Sequence, residues 1–423
     1  MISDKETLLA FYCDYLKNDL MRFWKKAIDH EYGGIFTCYS NDGSKLLSTD
    51  KYVWSQGRVI WMLSRYAELI DKGLIEDDRQ MYAAHAQKTY EFIKKNAVLA
   101  EKEGVCAYLV ERDGTKKESI PGKGYYTSFY VDCFVIMGFA ELARVSGEKD
   151  PLEDALQLYD RTQAYLKRGE IVSEPYPIPE GYKAHAVPMI MCNVASVLYD
   201  ALKAFKHVRY QEIFDDAKGF MNRILNFHYD AERGLIKEMV SDDSSNEDTL
   251  MVRHIIPGHA VESMWFCIKV AKDSNAEDET YKKIARVVKN SIRTGWDKEY
   301  GGLYHYTDRD GGKPAGRMIN APYDISILET WDTKLWWPHS EALYTALLCH
   351  DLTGDKEFMD LYQMVGKYAF TVFPNPDKSM GEWIQILDRE NKPLEKVVAL
   401  PVKDPYHIIR DFMLIIELLG NRP

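Results

Sequence analysis

Between residues 6 and 28 apolar side chains recur at Leu8, Leu9, Phe11, Tyr12, Tyr15, Leu16 and Leu20. That three-and-four spacing lays an apolar stripe along a helix. A second run passes through Val59, Ile60, Met62, Leu63, Tyr66 and Leu69. The alternation continues along the chain. It predicts helices near 6–28, 78–97, 150–167, 209–227, 277–296 and 356–374, interleaved with helices near 55–72, 126–146, 187–205, 258–272, 338–352 and 406–420. The second set is apolar around most of its circumference, as in VDCFVIMGFAELA and EALYTALLCHDL. Such helices belong inside, and the first set outside.

The segments between outer and inner helices repeat. DHEYGGIFTCYSNDG near residue 30 returns as DKEYGGLYHYTDRDG near 297 and as PDKSMGEWIQILDREN near 376. Weaker echoes are EGVCAYLVERDG, DAERGLIKEMVSDD and, faintest, RGEIVSE. Gly33, Gly104, Gly169, Gly234, Gly301 and Gly381 recur every 65 to 80 residues. Each echo reads as a tight turn followed by a short strand. A fixed period signals a repeat architecture. Six such units can close on themselves, so the chain reads as all-α, an (α/α)6 barrel of six helical hairpins with short β-hairpins in the connecting loops. An open helical solenoid is the alternative. No Pro/Gly/Ser-rich linker interrupts residues 1–423, which are expected to form one domain.

Composition narrows the function. A formal net charge of −11 argues against nucleic acid and anionic membranes as partners. Seven scattered cysteines with no CxxC pair give neither a disulfide framework nor a thiolate metal site. The N-terminus lacks a signal-peptide pattern and no long uncharged apolar run is evident. A cytoplasmic location is the resulting expectation.

The unusual polar residues cluster on this map. Arg58 follows Gly57, His259 follows Pro257 and Gly258, His339 and Glu341 follow Pro338, and His407 follows Pro405. Each is expected in the first turn of an inner helix. In a ring of parallel inner helices these turns share one rim, where helix dipoles would favour electron-rich oxygens and keep an imidazole neutral. Glu262 lies three residues after His259, and Arg410 three after His407. That spacing lets one side chain orient the other. Each residue has a plainer explanation: a lone histidine is commonly structural, Arg58 could pair with a carboxylate, and Trp265, Trp336 and Trp337 could be core. Three imidazoles, His259, His339 and His407, could hold zinc, but no HExxH motif supports a metal.

At these residues the chain resembles the N-acylglucosamine 2-epimerase family. The resemblance rests on HEYGGIFTCYSNDG, KYVWSQGRVIWML, PGHAVESMWF, GWDKEYGGLYHYTDRDG, KLWWPHSEAL and YHIIRD, in family order. It implies an (α/α)6 barrel, often a homodimer, that interconverts N-acetylglucosamine and N-acetylmannosamine. His259 and His407 match the family's catalytic histidines. Arg58, Glu262, Glu341 and Arg410 match its other polar site residues, and His339 and Trp337 are carried as substrate-side candidates. ATP is an effector of some members, but no GxxxxGK[ST] loop occurs here. The segment LPVKDPYH departs from the family's Gly-rich, Cys-containing approach to the last histidine. About a dozen extra residues lie within AGRMINAPYDISILETWD, before Lys334. Sister members act on mannose or cellobiose, or as aldose–ketose isomerases.

Inverting C2 of an open-chain aldose requires a proton to leave one face and return to the other. Two histidines of near-neutral pKa on opposite faces suffice, without a cofactor. In this reading Arg58 stabilises the enediolate, Glu262 orients His259, and Glu341 and Arg410 hold hydroxyls or His407. A glycoside hydrolase would instead use paired carboxylates such as Glu262 and Glu341. A non-catalytic protein-binding role is a third alternative.

Overall fold

The computed structural model describes residues 4–174, 177–394 and 403–420. Six inner helices span Val53–Asp71, Tyr130–Ser146, Ala186–Ala204, Pro257–Asp273, Trp336–Thr353 and Tyr406–Gly420. Each packs on the next, and the sixth packs on the first, so the ring is closed. The outer helices include Arg79–Asn96, Asp150–Arg168, Tyr210–Asn222, Asp278–Gly295 and Lys356–Val372. The first outer element is Lys5–Tyr15, continued through a π-helical turn, Leu16–Leu20, into Met21–Lys26. It packs on the sixth inner helix. Each outer helix returns the chain, so the inner helices run parallel and their N-terminal turns share one rim.

The faces follow from composition. The third inner helix is long and apolar enough by itself to cross a membrane. Here it lies in the ring, apolar because neighbours cover it on most sides. The first and second inner helices meet backbone to backbone at Gly57 and Gly138. A Cβ on Gly57 would sit 2.6 Å from the Phe134 carbonyl, so only glycine permits the contact.

Five of the six echoes close as minimal antiparallel pairs: Ile28 with Ile35, Val98–Leu99 with Val105–Cys106, Tyr229–Asp230 with Leu235–Ile236, Trp296 with Leu303, and Pro374 with Trp383. The faintest does not close on itself; its Ser173 bridges Ser128. A second set of pairs fixes the inner-helix starts. Strands Lys51–Tyr52, Tyr182–Ala184, His254–Ile255 and Lys334–Leu335, each just before an inner helix, pair with residues shortly after the next turn.

The strongest sequence repeat has a matching ionic core. Fully buried Lys51 donates to Asp29 Oδ2 (2.9 Å) and to the Gly33 carbonyl (2.8 Å). Lys334 does the same with Asp297 Oδ2 (3.0 Å) and the Gly301 carbonyl (2.6 Å). Arg112 and Arg389 close the two triads from the following loop. Both aspartates are held well below the usual carboxylate range by these cations, against the upward push of burial.

At the opposite rim, charges on the C-terminal halves of the inner helices pair among themselves. Arg65 reaches Glu141 (3.1 Å) and Glu417 (2.8 Å), Arg144 reaches Glu68 and Glu141 (both 2.7 Å), and Lys72 reaches Glu417 (2.9 Å). This network ties the first, second and sixth inner helices where the ring closes.

Candidate active site

A cavity of about 250 Å³ opens at the N-terminal rim. His259, the third residue of its helix, lines it. Pro257 stands at the helix start, and a Cβ on Gly258 would lie 2.5 Å from the Trp337 ring. Glycine therefore lets that indole rest against the helix start. His259 Nδ1–H donates to Glu238 Oε1 at 3.2 Å, and the enclosed Glu238 also meets His185 Nδ1 at 3.4 Å. Burial disfavours the imidazolium, but the charge of Glu238 outweighs it and raises His259 above the usual histidine value. Burial likewise pushes Glu238 up, and His259 and His185 overcome it, holding the carboxyl well below its ordinary range.

His407 is the second residue of the sixth inner helix. Its Nδ1–H donates to Glu341 Oε1 at 2.8 Å, and Glu262 Oε1 lies 3.7 Å away. Burial lowers this imidazole to about 3; Glu262 pulls upward, but Arg410 and Arg58 add to the depression. A neutral ring donating through Nδ1 reconciles the short bond to Glu341 with the low value. The two histidines flank one side chain. Trp337 lies 5.4 Å from His259 and 5.3 Å from His407 between ring centroids, tilted 37° and 38° to them. The side chain of His259 keeps 25% of its surface exposed and that of His407 12%, so both present an edge to the cavity.

Arg58 also lines the cavity. Its helix begins at Val53, so Arg58 sits in the second turn rather than the first. Its guanidinium pairs with Asp404 and lies 3.9 Å from the centroid of the Phe134 ring. Asp404 Oδ1 accepts the Tyr406 N–H at 2.7 Å, and Gln385 grips the Asp404 backbone through two bonds of 2.9 Å.

The expected roles of Glu262 and His339 are corrected, and those of Glu341 and Arg410 are narrowed to contact with His407. Glu262 does not orient His259; it accepts from Arg410 Nη2 at 2.6 Å. Glu262 is one turn deeper in the ring than His259, level with Arg410, whereas His259 faces the loop that carries Glu238. Glu341 is fully buried behind the cavity wall, accepting from Trp265 Nε1 (2.9 Å), Arg410 and His407. It touches His407 and does not line the cavity. Arg410 reaches the cavity but is clamped between Glu262 and Glu341, with Nη2 3.3 Å from His407 Nδ1. His339 is kept out of the cavity. Its Nδ1–H donates to the Leu335 carbonyl (2.6 Å) and its Nε2 accepts the Leu303 N–H (2.8 Å). Burial lowers it to about 3, and a second proton would face an N–H. The three imidazoles considered for zinc are therefore not brought together. Glu262, Glu341 and His407 do converge, with the Arg410 guanidinium already bonded to both carboxylates.

Sequence reasoning missed Glu238 and Asp404. A signal for Glu238 existed: it is fourth after the repeat glycine Gly234, as Gln385 is after Gly381, while Tyr306 is fifth after Gly301, which a second glycine follows. That register faces the cavity at Glu238 and Tyr306 and holds Asp404 at Gln385. The residues inserted before Lys334 form a helix, Pro322–Thr330, started by Asp324 Oδ2 accepting the Ile319 and Ala321 N–H groups (2.9 and 3.1 Å). Its Tyr323 reaches the cavity.

Three comparisons bear on this site. The family model for N-acylglucosamine 2-epimerase (GlcNAc 2-epimerase) matches residues 34–410. The N-acylglucosamine 2-epimerase of Bos taurus is 30% identical over 427 residues, covering 100% of this chain and 94% of its own. The fold is shared with cellobiose 2-epimerase from Bacillus thermoamylovorans B4167, with TM-score 0.77 and 16% identity over 98% of this chain and 100% of that one. A D-mannose isomerase structure gives TM-score 0.74 at 17% identity, over 99% of this chain and 100% of that one.

Proposed function

The chain belongs to the N-acylglucosamine 2-epimerase family, and from that premise we propose that it interconverts N-acetyl-D-glucosamine and N-acetyl-D-mannosamine by moving the C2 proton between His407 and His259. The observation that carries this reading is the pair of imidazoles flanking Trp337, each anchored at Nδ1 by a buried carboxylate. Anchoring Nδ1 fixes the ring and leaves Nε2 to exchange protons with a ligand.

The environments divide the labour. Neutral His407 takes the proton from C2 of the open-chain aldehyde, and the electron pair moves into an enediolate across C1 and C2. Arg58, on the same cavity wall, stabilises the charge that develops on O1. Protonated His259 then delivers its proton to C2 from the other face. The return reaction starts from the form with the proton on His407. Glu238 and Glu341 act through the histidines as positioning residues. This chemistry requires no metal or organic cofactor.

Incubation with N-acetylmannosamine, N-acetylglucosamine, mannose and cellobiose in D2O, followed by proton NMR, tests the proposal. Loss of the C2–H signal from both N-acetylated sugars as they interconvert is the expected result. Exchange confined to mannose or cellobiose, or a ketose product, would overturn it. The nitrogen on C2 of the N-acetylated sugars denies them a ketose, so a ketose can come only from the other two.

A further inference from the structure

The cavity wall is chemically lopsided. The first, fourth and sixth inner helices give it ionisable groups: Arg58, then His259 and Glu262, then His407 and Arg410. The third gives Ala186, Met189 and Ile190 at comparable depth, all without a hydrogen-bonding side chain. Two more apolar residues adjoin them. Ala184 and Met239 are directly opposite each other in the two-stranded ladder just before that helix, and both line the cavity. Alanine at 184 and 186 leaves room that the longer side chains bound. The indoles of Trp54, Trp336 and Trp337 give the cavity flat surfaces of the kind that suit the C–H face of a sugar ring. The aliphatic recess is a different surface, suited to a short alkyl group.

Its place in the chain gives its place in the reaction. Met239 directly follows Glu238, the carboxylate bonded to His259. The recess therefore begins beside one of the groups that exchange the C2 proton. A substituent on C2 is one bond from the reacting carbon and must project near those groups. A C2 hydroxyl aimed at Met189 and Ile190 would lose its hydrogen bonds to water without replacement. An acyl methyl would lose nothing and would displace water from apolar surface.

We infer that the recess of Ala184, Ala186, Met189, Ile190 and Met239 receives the acyl group on the C2 nitrogen and so selects N-acylated amino sugars over 2-hydroxy sugars. The inference rests on the epimerase reading above and adds the surface that sets its substrate. Two variants act in opposite directions. Ala186→Leu fills the recess and Met189→Ala enlarges it. The measurement is kcat/KM for epimerisation of N-acetyl- and N-butanoylmannosamine, taken as a ratio within each protein so that the folded fraction cancels.

Relative to the unsubstituted enzyme, the butanoyl-to-acetyl ratio rises about 10-fold in Met189→Ala and falls about 10-fold in Ala186→Leu, the scale on which a pocket discriminates methylene groups. Mannose gains on N-acetylmannosamine in Ala186→Leu. Ratios within about twofold of the unsubstituted enzyme in either active variant, a scale far below methylene discrimination, would overturn the recess while leaving the epimerase intact. Failure of the unsubstituted enzyme to epimerise any N-acylated sugar would overturn both.

Discussion

The two ends of the inner ring carry buried charge in opposite conditions. At the C-terminal rim Arg65, Arg144 and Lys72 face Glu68, Glu141 and Glu417, three cations against three carboxylates. The balance keeps the acids charged: burial pushes Glu68 and Glu141 up, but the arginines hold both below the ordinary value, Glu68 at about 2. Around the cavity at the N-terminal rim Arg58 pairs with Asp404, Arg410 with Glu262, Glu341 and Asp411, and Glu238 meets His259 and His185. With carboxylates in excess, protons stay behind. Glu341 and Asp411 are raised by burial, and His259 is raised by Glu238. One set of residue types thus makes a saturated brace at one end and a proton-retaining cluster at the other.

Substitutions at the two ends should separate activity from stability. The largest effect is expected from His259→Asn and His407→Asn, each lowering kcat by about 1,000-fold, within the range for a positioned acid or base. Their thermal midpoints should match the unsubstituted enzyme. Retained turnover in both, or unfolding in both, would erase the distinction between the rims. Glu141→Gln should do the reverse. Leaving Arg65 and Arg144 short of a partner costs about 3 kcal/mol in urea unfolding, while kcat per folded molecule is unchanged. A fall in kcat with full stability would mean the brace takes part in turnover.

Glu238→Gln gives the smallest and sharpest change. On the proposed mechanism His259 must be protonated to deliver its proton, so activity is lost as pH rises through its value. Glu238 raises that value, and glutamine lets it fall. The alkaline limb of the kcat profile should therefore move to lower pH, with about a tenfold loss above neutrality and little change on the acid side. An unmoved limb would remove Glu238 from the account of His259.

The ring was legible because its causes are local. Period and circumference of the apolar pattern distinguish Val53–Asp71 from Arg79–Asn96 before any contact is known. Repeat glycines mark the hairpins, and the weakest echo is the one that fails to close. The rim was legible from Pro257 and Gly258. Side-chain partners were not. The spacing of Glu262 from His259 pointed to a pair within one helix, but the carboxylate came from a loop 21 residues earlier. His339 resembles His259 in sequence, each within two residues of a proline, yet its ring lies against the Leu303 N–H and the Leu335 carbonyl. Which partner a side chain finds depends on ring closure, which no local pattern encodes.

The sixth inner helix has a temporal consequence. It brings His407 and Arg410 to one rim and Glu417 to the other, while packing on both the first inner helix and the first outer element. Contacts between segments some 350 residues apart in the chain are made late and slowly. A chain growing on the ribosome therefore carries Arg58 and His259 as a half-cleft until the sixth inner helix emerges. On the proposed roles of His407 and His259, turnover begins in the same event that seals the barrel, so the onset of activity times the completion of folding.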